Sequence, residues 1–269
     1  MYEFDTPNPV ALALKFAAGD AEIIAEDTTR ATVDISGADG SDASREAAHK
    51  TSVEMRGDTL YVDAPESTGW GFRRGPRLRI VVRLPAGGDL LVKAASADVA
   101  ARGRFADLRV TSGSGDTFVE HATGDAAVGS GSGDIRVNRV EGDLRVNAAS
   151  GDISVGYAGG AVGAHCASGD LSIDEAHGSV NATTASGDVR VGTASAGTVS
   201  IKSASGDVSV GVAPGTGVWL DLSTLSGDTN SDLTMPEQSG GQSAASLTIQ
   251  VRTASGDIDV HRSVVPTSA

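Results

Sequence analysis

Ser132-Gly133-Asp134-Ile135-Arg136-Val137, Ser150-Gly151-Asp152-Ile153-Ser154-Val155 and Ser168-Gly169-Asp170-Leu171-Ser172-Ile173 are one phrase written three times. Asp98, Asp116, Asp134, Asp152, Asp170 and Asp188 follow one another at intervals of 18 residues. Asp207 comes after 19, and looser copies stand at Asp228 and Asp257. A period this regular marks a solenoid, in which no repeat buries its apolar face alone and each must stack on its neighbours.

Each 18-residue unit divides again. A second phrase lies between the first ones, as in Gly124-Asp125-Ala126-Ala127-Val128, Gly142-Asp143-Leu144-Arg145-Val146 and Gly178-Ser179-Val180-Asn181-Ala182. Nine residues suffice for one short strand and one tight turn, so a coil is two strands and successive coils add parallel strands to two sheets. Period-two alternation then assigns the inward side chains. On the first sheet they are Thr117, Ile135, Ile153, Leu171, Val189 and Val208, with Val119, Val137, Val155, Ile173, Val191 and Val210. On the second they are Leu108, Ala126, Leu144, Val162, Val180 and Val199, with Val110, Val128, Val146, Ala164, Ala182 and Ile201. The expected fold is all-β, a single-chain parallel β-helix with two short strands per coil.

Working outward, residues 1–93 read as irregular β-strand coils that cap the regular tract 94–213. Val10 to Phe16 alternates, Gly19-Asp20 turns the chain, and Ala21 to Ala25 continues it. Gly37 to Lys50 reads as a surface loop with one helical turn at most. Ser52 to Met55 and Thr59 to Val62 around Gly57-Asp58 form a hairpin candidate. The segment with Trp70, Phe72, Arg73 and Arg74 reads as a loop folding over the end of the solenoid, or as a binding surface of exposed aromatics beside arginines. Residues 214–261 read as divergent coils with a polar loop over 232–246; Leu247 to Val251 and Asp257 to Val260 are expected to form the last coil, and 262–269 a frayed tail. All of it is expected to be one structural domain.

Composition sets bounds on function. The formal net charge is −14, which argues against nucleic acid and anionic membrane surfaces, since both need a basic footprint. In-phase Val, Ile and Leu argue against disorder. One cysteine, Cys166, excludes an internal disulfide, and its place in a column of small residues reads as a buried hydrophobe. No window approaches the ~18 apolar residues of a membrane span and Met1-Tyr2-Glu3-Phe4-Asp5 has no positive n-region, so a cytoplasmic location without membrane insertion is expected.

The aspartate ladder is the strongest candidate for chemistry. Stacked in register, its members lie about 4.8 Å apart. Neighbouring charges at that spacing repel by about 0.9 kcal/mol in water, so an interior member with two neighbours loses about 2 kcal/mol, which a hydrogen bond to a carboxylate, contributing about 1.5–3 kcal/mol, nearly cancels. Corner capping in Asx-type turns is therefore enough to sustain the ladder, and a bound cation would add to it. Ca²⁺ binding is the alternative, but the calcium β-roll pattern fails in detail: Gly directly precedes Asp, and Ala161, Ser179 and Thr198 stand where the second phrase would need acids. The column His121, Arg139, Tyr157 and Glu175 runs along one outer edge and reads as a solvated face; His165 and His177 have no repeated partner. No nucleophile elbow, P-loop, H-E-x-x-H or paired C-x-x-C occurs. No catalytic, cofactor-binding or metal residue is assigned, and no enzyme is expected.

A strand ending at Leu84-Pro85, the repeated S-G-D units and a terminal Thr253-Ala254-Ser255-Gly256-Asp257-Ile258-Asp259-Val260 resemble the bacterial β-strand-repeat family labelled "putative adhesin", or toastrack. The resemblance covers nearly the whole chain. It implies a single-chain β-helix, and roles among members that include attachment to membrane segments, carbohydrate or cell-envelope binding and envelope-stress signalling. From the residues themselves the expected function is a scaffold or protein-interaction module. It would meet a protein partner or a second copy through solenoid faces or edge strands, with the cation-binding module as alternative.

Overall fold

The computed structural model describes residues 1–65, 75–233 and 246–263. The Trp70, Phe72, Arg73 and Arg74 segment, most of the loop 232–246 and the tail from 264 lie outside the described residues. Backbone contacts divide the chain into two units, Met1–Val140 and Glu141–Ala269.

The first unit contains β1 (Tyr2–Asp5), β2 (Ala11–Glu26), β3 (Arg30–Gly37), α1 (Asp42–Lys50), β4 (Ser52–Arg56), β5 (Thr59–Asp63), β6 (Leu78–Pro85), β7 (Leu90–Phe105), β8 (Leu108–Ser114), β9 (Thr117–Ala122), β10 (Ala126–Ser132) and β11 (Ile135–Val140). Strands β2 and β7 each run through a whole coil, in parallel register from Leu12↔Leu90 to Ala25↔Gly103. Gly19 makes the corner of β2 possible: its φ is +120°, and a Cβ there would sit 1.9 Å from the Leu78 carbonyl oxygen. Parallel coil-on-coil pairing is thus in place from residue 11, within the irregular N-terminal coils. Beyond β7 the half-coils stack in parallel, β8 on β7 and β10 on β8 along one sheet, β9 on β7 and β11 on β9 along the other. On the other side of β2 lie β5 and β6, followed by the antiparallel strands β4, β3 and β1.

Residues 37–50 depart from the sequence reading. Instead of a loop with one turn, α1 is a nine-residue helix. Ser41 caps it, its Oγ accepting from the Ser44 N–H at 3.1 Å, and Asp39 accepts from both the N–H and the hydroxyl of Ser41. Hydrogen bonding from the Ser44 side chain, and from the backbone and side chain of Ser41, holds the Asp39 carboxyl down at about 2. The helix buries Ser44 and Ala47, and Ser44 Oγ accepts from the Arg77 N–H. Capping chemistry and two small buried residues outweigh the polar composition that suggested a loop.

The second unit contains β12 (Leu144–Ser150), β13 (Ile153–Ala158), β14 (Val162–Ser168), β15 (Leu171–Ala176), β16 (Val180–Ser186), β17 (Val189–Ala194), β18 (Gly197–Ser205), β19 (Val208–Val212), β20 (Val218–Ser226), β21 (Thr229–Ser231), β22 (Leu247–Ser255) and β23 (Ile258–Arg262). Coils stack by parallel pairing with matched inward columns, and the predicted inward residues from Leu144 to Val210 are buried.

The order of the final coils corrects the sequence reading. β22 and β23 pair with β18 and β19 on one side and with β20 and β21 on the other. Among the described residues of the second unit, the coil that comes last in sequence is thus second from the end in space, and β20–β21 is outermost. Side-chain chemistry explains the inversion. Leu247, Ile249, Val251, Ile258 and Val260 fill the inward positions of β22–β23 and need neighbours on both sides. Thr229 and Ser231 hold the matching positions of β21 and tolerate water, as a terminal repeat must. No helix among the described residues is long and apolar enough to cross a membrane.

Candidate functional site

The Ser-Gly-Asp corners are assembled between coils. In the second unit Gly151, Gly169, Gly187, Gly206, Gly227 and Gly256 all take positive φ. At Gly206 a Cβ would also meet the Gly187 carbonyl oxygen at 2.2 Å, so only glycine lets adjacent corners touch. The aspartates were expected to cap their own turns. Instead each reaches to the next coil: Asp98 accepts from the Asp116 N–H and Asp116 from Asp134, both at 2.9 Å. In the second unit Asp152 accepts from Asp170, Asp170 from Asp188, Asp188 from Asp207, Asp207 from Asp257 and Asp257 from Asp228, at 2.8–2.9 Å. Parallel stacking brings the next N–H within reach more directly than any turn within the same coil. Each bond places a donor against a carboxylate and offsets the repulsion along the row.

The second phrase builds a matching row. Asp89 and Asp107 accept from Asp107 and Asp125 in the first unit. In the second unit Asp143 accepts from Ala161, and Ser179 Oγ accepts from Thr198. Among the described residues no group of His, Cys, Asp and Glu is placed to hold a metal ion.

The outer column keeps its predicted register within each unit. His121 lies in register with Arg139 in the first unit, and Tyr157 with Glu175 in the second. The Tyr157 ring stacks at 4.9 Å on His177, whose Nε2 is 3.6 Å from Glu175 and whose Nδ1 is 3.4 Å from Ser195 Oγ. Sequence reading missed this grouping, although the 18-residue interval from His177 to Ser195 was visible. The order Ser, His, Glu invites comparison with a hydrolytic triad, but both contacts exceed the 2.6–3.2 Å of a working nucleophile and base, and His177 and Glu175 are each about half exposed on an outer corner. The arrangement forms a loose polar cluster on the surface.

Cys166 is buried, and burial, reinforced by the charges of Asp152 and Asp170, pushes its thiol up. That disfavours the thiolate. In the second unit a shallow depression of about 390 Å³ lies on the outer face where Gly163 stands between Arg145 and Asn181.

The outermost coil of the second unit is distinct. Val218, Leu220 and Leu222 continue the inward columns yet are only half-buried, because no strand among the described residues covers the far edge of β20. On its outer face Trp219 is 50% and Leu225 87% exposed. Register places Trp219 beside Thr248 and Thr198, and Leu225 closes a column of Ala167, Ala185, Ala204 and Ala254. Large apolar side chains therefore appear at the open edge in columns that are small or polar further in.

Three solved structures are similar over almost their full length: a "putative adhesin" from Bacteroides fragilis (12% identity, 96% of this chain and 95% of that one, TM-score 0.44), a "putative lipid binding protein" from Parabacteroides distasonis (14%, 97% and 95%, 0.40) and a "putative cell adhesion protein" from Clostridium sporogenes (11%, 97% and 98%, 0.27). No curated protein matches. The profile of the Toastrack family, DUF4097, matches residues 10–261, and the chain belongs to that family.

Proposed function

We propose that this chain is a non-enzymatic scaffold and protein-interaction module whose contact element is the open coil β20–β21. One observation carries the reading: a strand edge that pairs with no other strand among the described residues and bears Trp219 and Leu225 outward and half-covered Leu220 and Leu222 inward. An edge of this kind accepts an extended strand, with main-chain hydrogen bonds supplying affinity and flanking side chains selectivity. In the same reading the aspartates are corner caps and need no cofactor, since their Oδ1 atoms already accept N–H bonds. The test places a photo-crosslinking amino acid at Ser223, beside the edge, and for comparison at Asn181, on the outer face of an interior coil. Adducts in cells concentrated at position 223 are the expected result. Equal yields at the two positions would contradict the assignment of the edge.

A further inference from the structure

Resting on that reading, we propose that the occupant of the β20 edge is the β20 edge of a second copy, paired antiparallel about a two-fold axis at Leu222. The backbone sets which groups are available. At the position of the coil held by Leu220, interior coils donate outward: the Leu144 N–H to the Ala161 oxygen and the Val162 N–H to the Ser179 oxygen. Leu220 stands in that column through Ile249, Val199 and Val180. By the two-residue period Leu220, Leu222 and Thr224 present N–H and C=O groups to the open side.

Three registers use those groups, and charge and packing separate them. Centring on Asp221 sets that carboxylate opposite itself, the like-charge pair that antiparallel sheets avoid. Centring on Ser223 sets Asp221 opposite Leu225 and leaves Trp219 facing Gly227. Centring on Leu222 pairs Leu222 with Leu222 and Leu220 with Thr224 through hydrogen bonds, and places Asp221 opposite Ser223. It also sets Trp219 opposite Leu225 twice, at the non-hydrogen-bonded positions where side chains approach most closely. The two largest exposed apolar side chains of the edge thus cover each other.

The electrostatics agree. Asp221 is the only charged residue of β20, and Arg252 lies 3.8 Å from it on the neighbouring strand. Arg252 is also the lateral neighbour of Ser223. Across the two-fold axis the short Ser223 side chain leaves Arg252 within reach of the Asp221 of the second copy. In a chain of net charge −14, this edge is a place where two copies meet without facing carboxylates.

The experiment is sedimentation velocity of the purified full chain over a micromolar to millimolar range. The wild type is expected to form a reversible dimer. Trp219→Thr combined with Leu225→Ala, which restores the residue types of the columns behind them, should weaken it at least tenfold. Ser223→Lys, opposite Asp221, should tighten it several-fold, and Ser223→Glu should weaken it by a similar factor. All three variants alter exposed side chains and should leave the melting temperature within a few degrees of wild type. A wild type that stays monomeric throughout, or a dimer indifferent to the sign of the charge at 223, overturns the proposal. Monomeric protein whose position 223 still crosslinks to a different protein in cells overturns the second copy alone and leaves the wider reading standing; absence of any preferential adduct removes both.

Discussion

Two coils of the second unit carry the same Ser-Gly-Asp corner and lie in matched register, yet they occupy opposite situations. In β22–β23 the inward Leu247, Ile249, Val251, Ile258 and Val260 are almost wholly covered. In β20–β21 their partners Val218, Leu220 and Leu222 are half-covered, and Thr229 and Ser231 replace the last two aliphatics. Identical corners therefore do not make equivalent coils. What separates them is whether each inward position demands a neighbour on both sides, and that demand orders the stack more strongly than order along the chain does.

Substitutions at the corners should divide the two coils most sharply. Gly256→Ala places a Cβ 2.2 Å from the Gly206 oxygen at φ +129°, in a coil held on both faces. Loss of about 3–5 kcal/mol in urea denaturation is expected. Gly227→Ala meets the Gly256 oxygen at the same distance, but the outer coil can back away, and about 1–2 kcal/mol is expected. Equal losses would mean that β20–β21 is as confined as the interior. The inward columns give the next largest contrast, with Ile249→Ala costing about 3 kcal/mol and Leu220→Ala about 1.

The aspartates offer a finer comparison. Asp257→Ala leaves the Asp228 N–H without its acceptor and should cost about 1 kcal/mol, whereas Asp228→Ala, at the end of the row, should cost less than half of that. Asp257→Asn retains an oxygen acceptor and should recover most of the loss. Thermal melts in calcium, magnesium and sodium chloride of equal ionic strength should coincide; a saturable rise specific to calcium would assign the row a cation instead. The last contrast concerns a polar residue in an inward column. Thr117 Oγ1 is buried without a partner among the described residues, so Thr117→Val should stabilise the chain by about 1 kcal/mol, or 2–4 °C in Tm. Thr229→Val, at the same position of the exposed coil, should change Tm by less than a degree.

Much of this was legible from side-chain period alone. Ile153, Leu171 and Val189 fall 18 residues apart between corners and are buried in one column, because alternation leaves each strand a single inward face. The hairpin at Gly57-Asp58 was equally plain, and Gly57 takes φ +58°. Order in space was not. Ser226-Gly227-Asp228 and Ser255-Gly256-Asp257 read alike, and only the polar Thr229 and Ser231 mark the former as the outer coil. The helix at 42–50 was hidden by its composition, since its cap is built from Asp39, Ser41 and Ser44, residue types that also make loops. The partner of each aspartate could not be read either. A carboxylate that satisfies its own turn and one that satisfies the next coil leave the same letters in the sequence. The grouping of Glu175, His177 and Ser195 depends on corner geometry that alternation within one strand does not specify.

The most direct test of the outer coil is amide hydrogen exchange read by mass spectrometry at low and high protein concentration. Residues 247–255 should be protected at both, as befits strands paired on two sides. Residues 218–226 should exchange quickly at low concentration and become protected at high concentration, as their open edge is filled. Protection of 218–226 at every concentration would show that the edge is already covered within one chain. Rapid exchange of 247–255 would contradict the order of the stack itself.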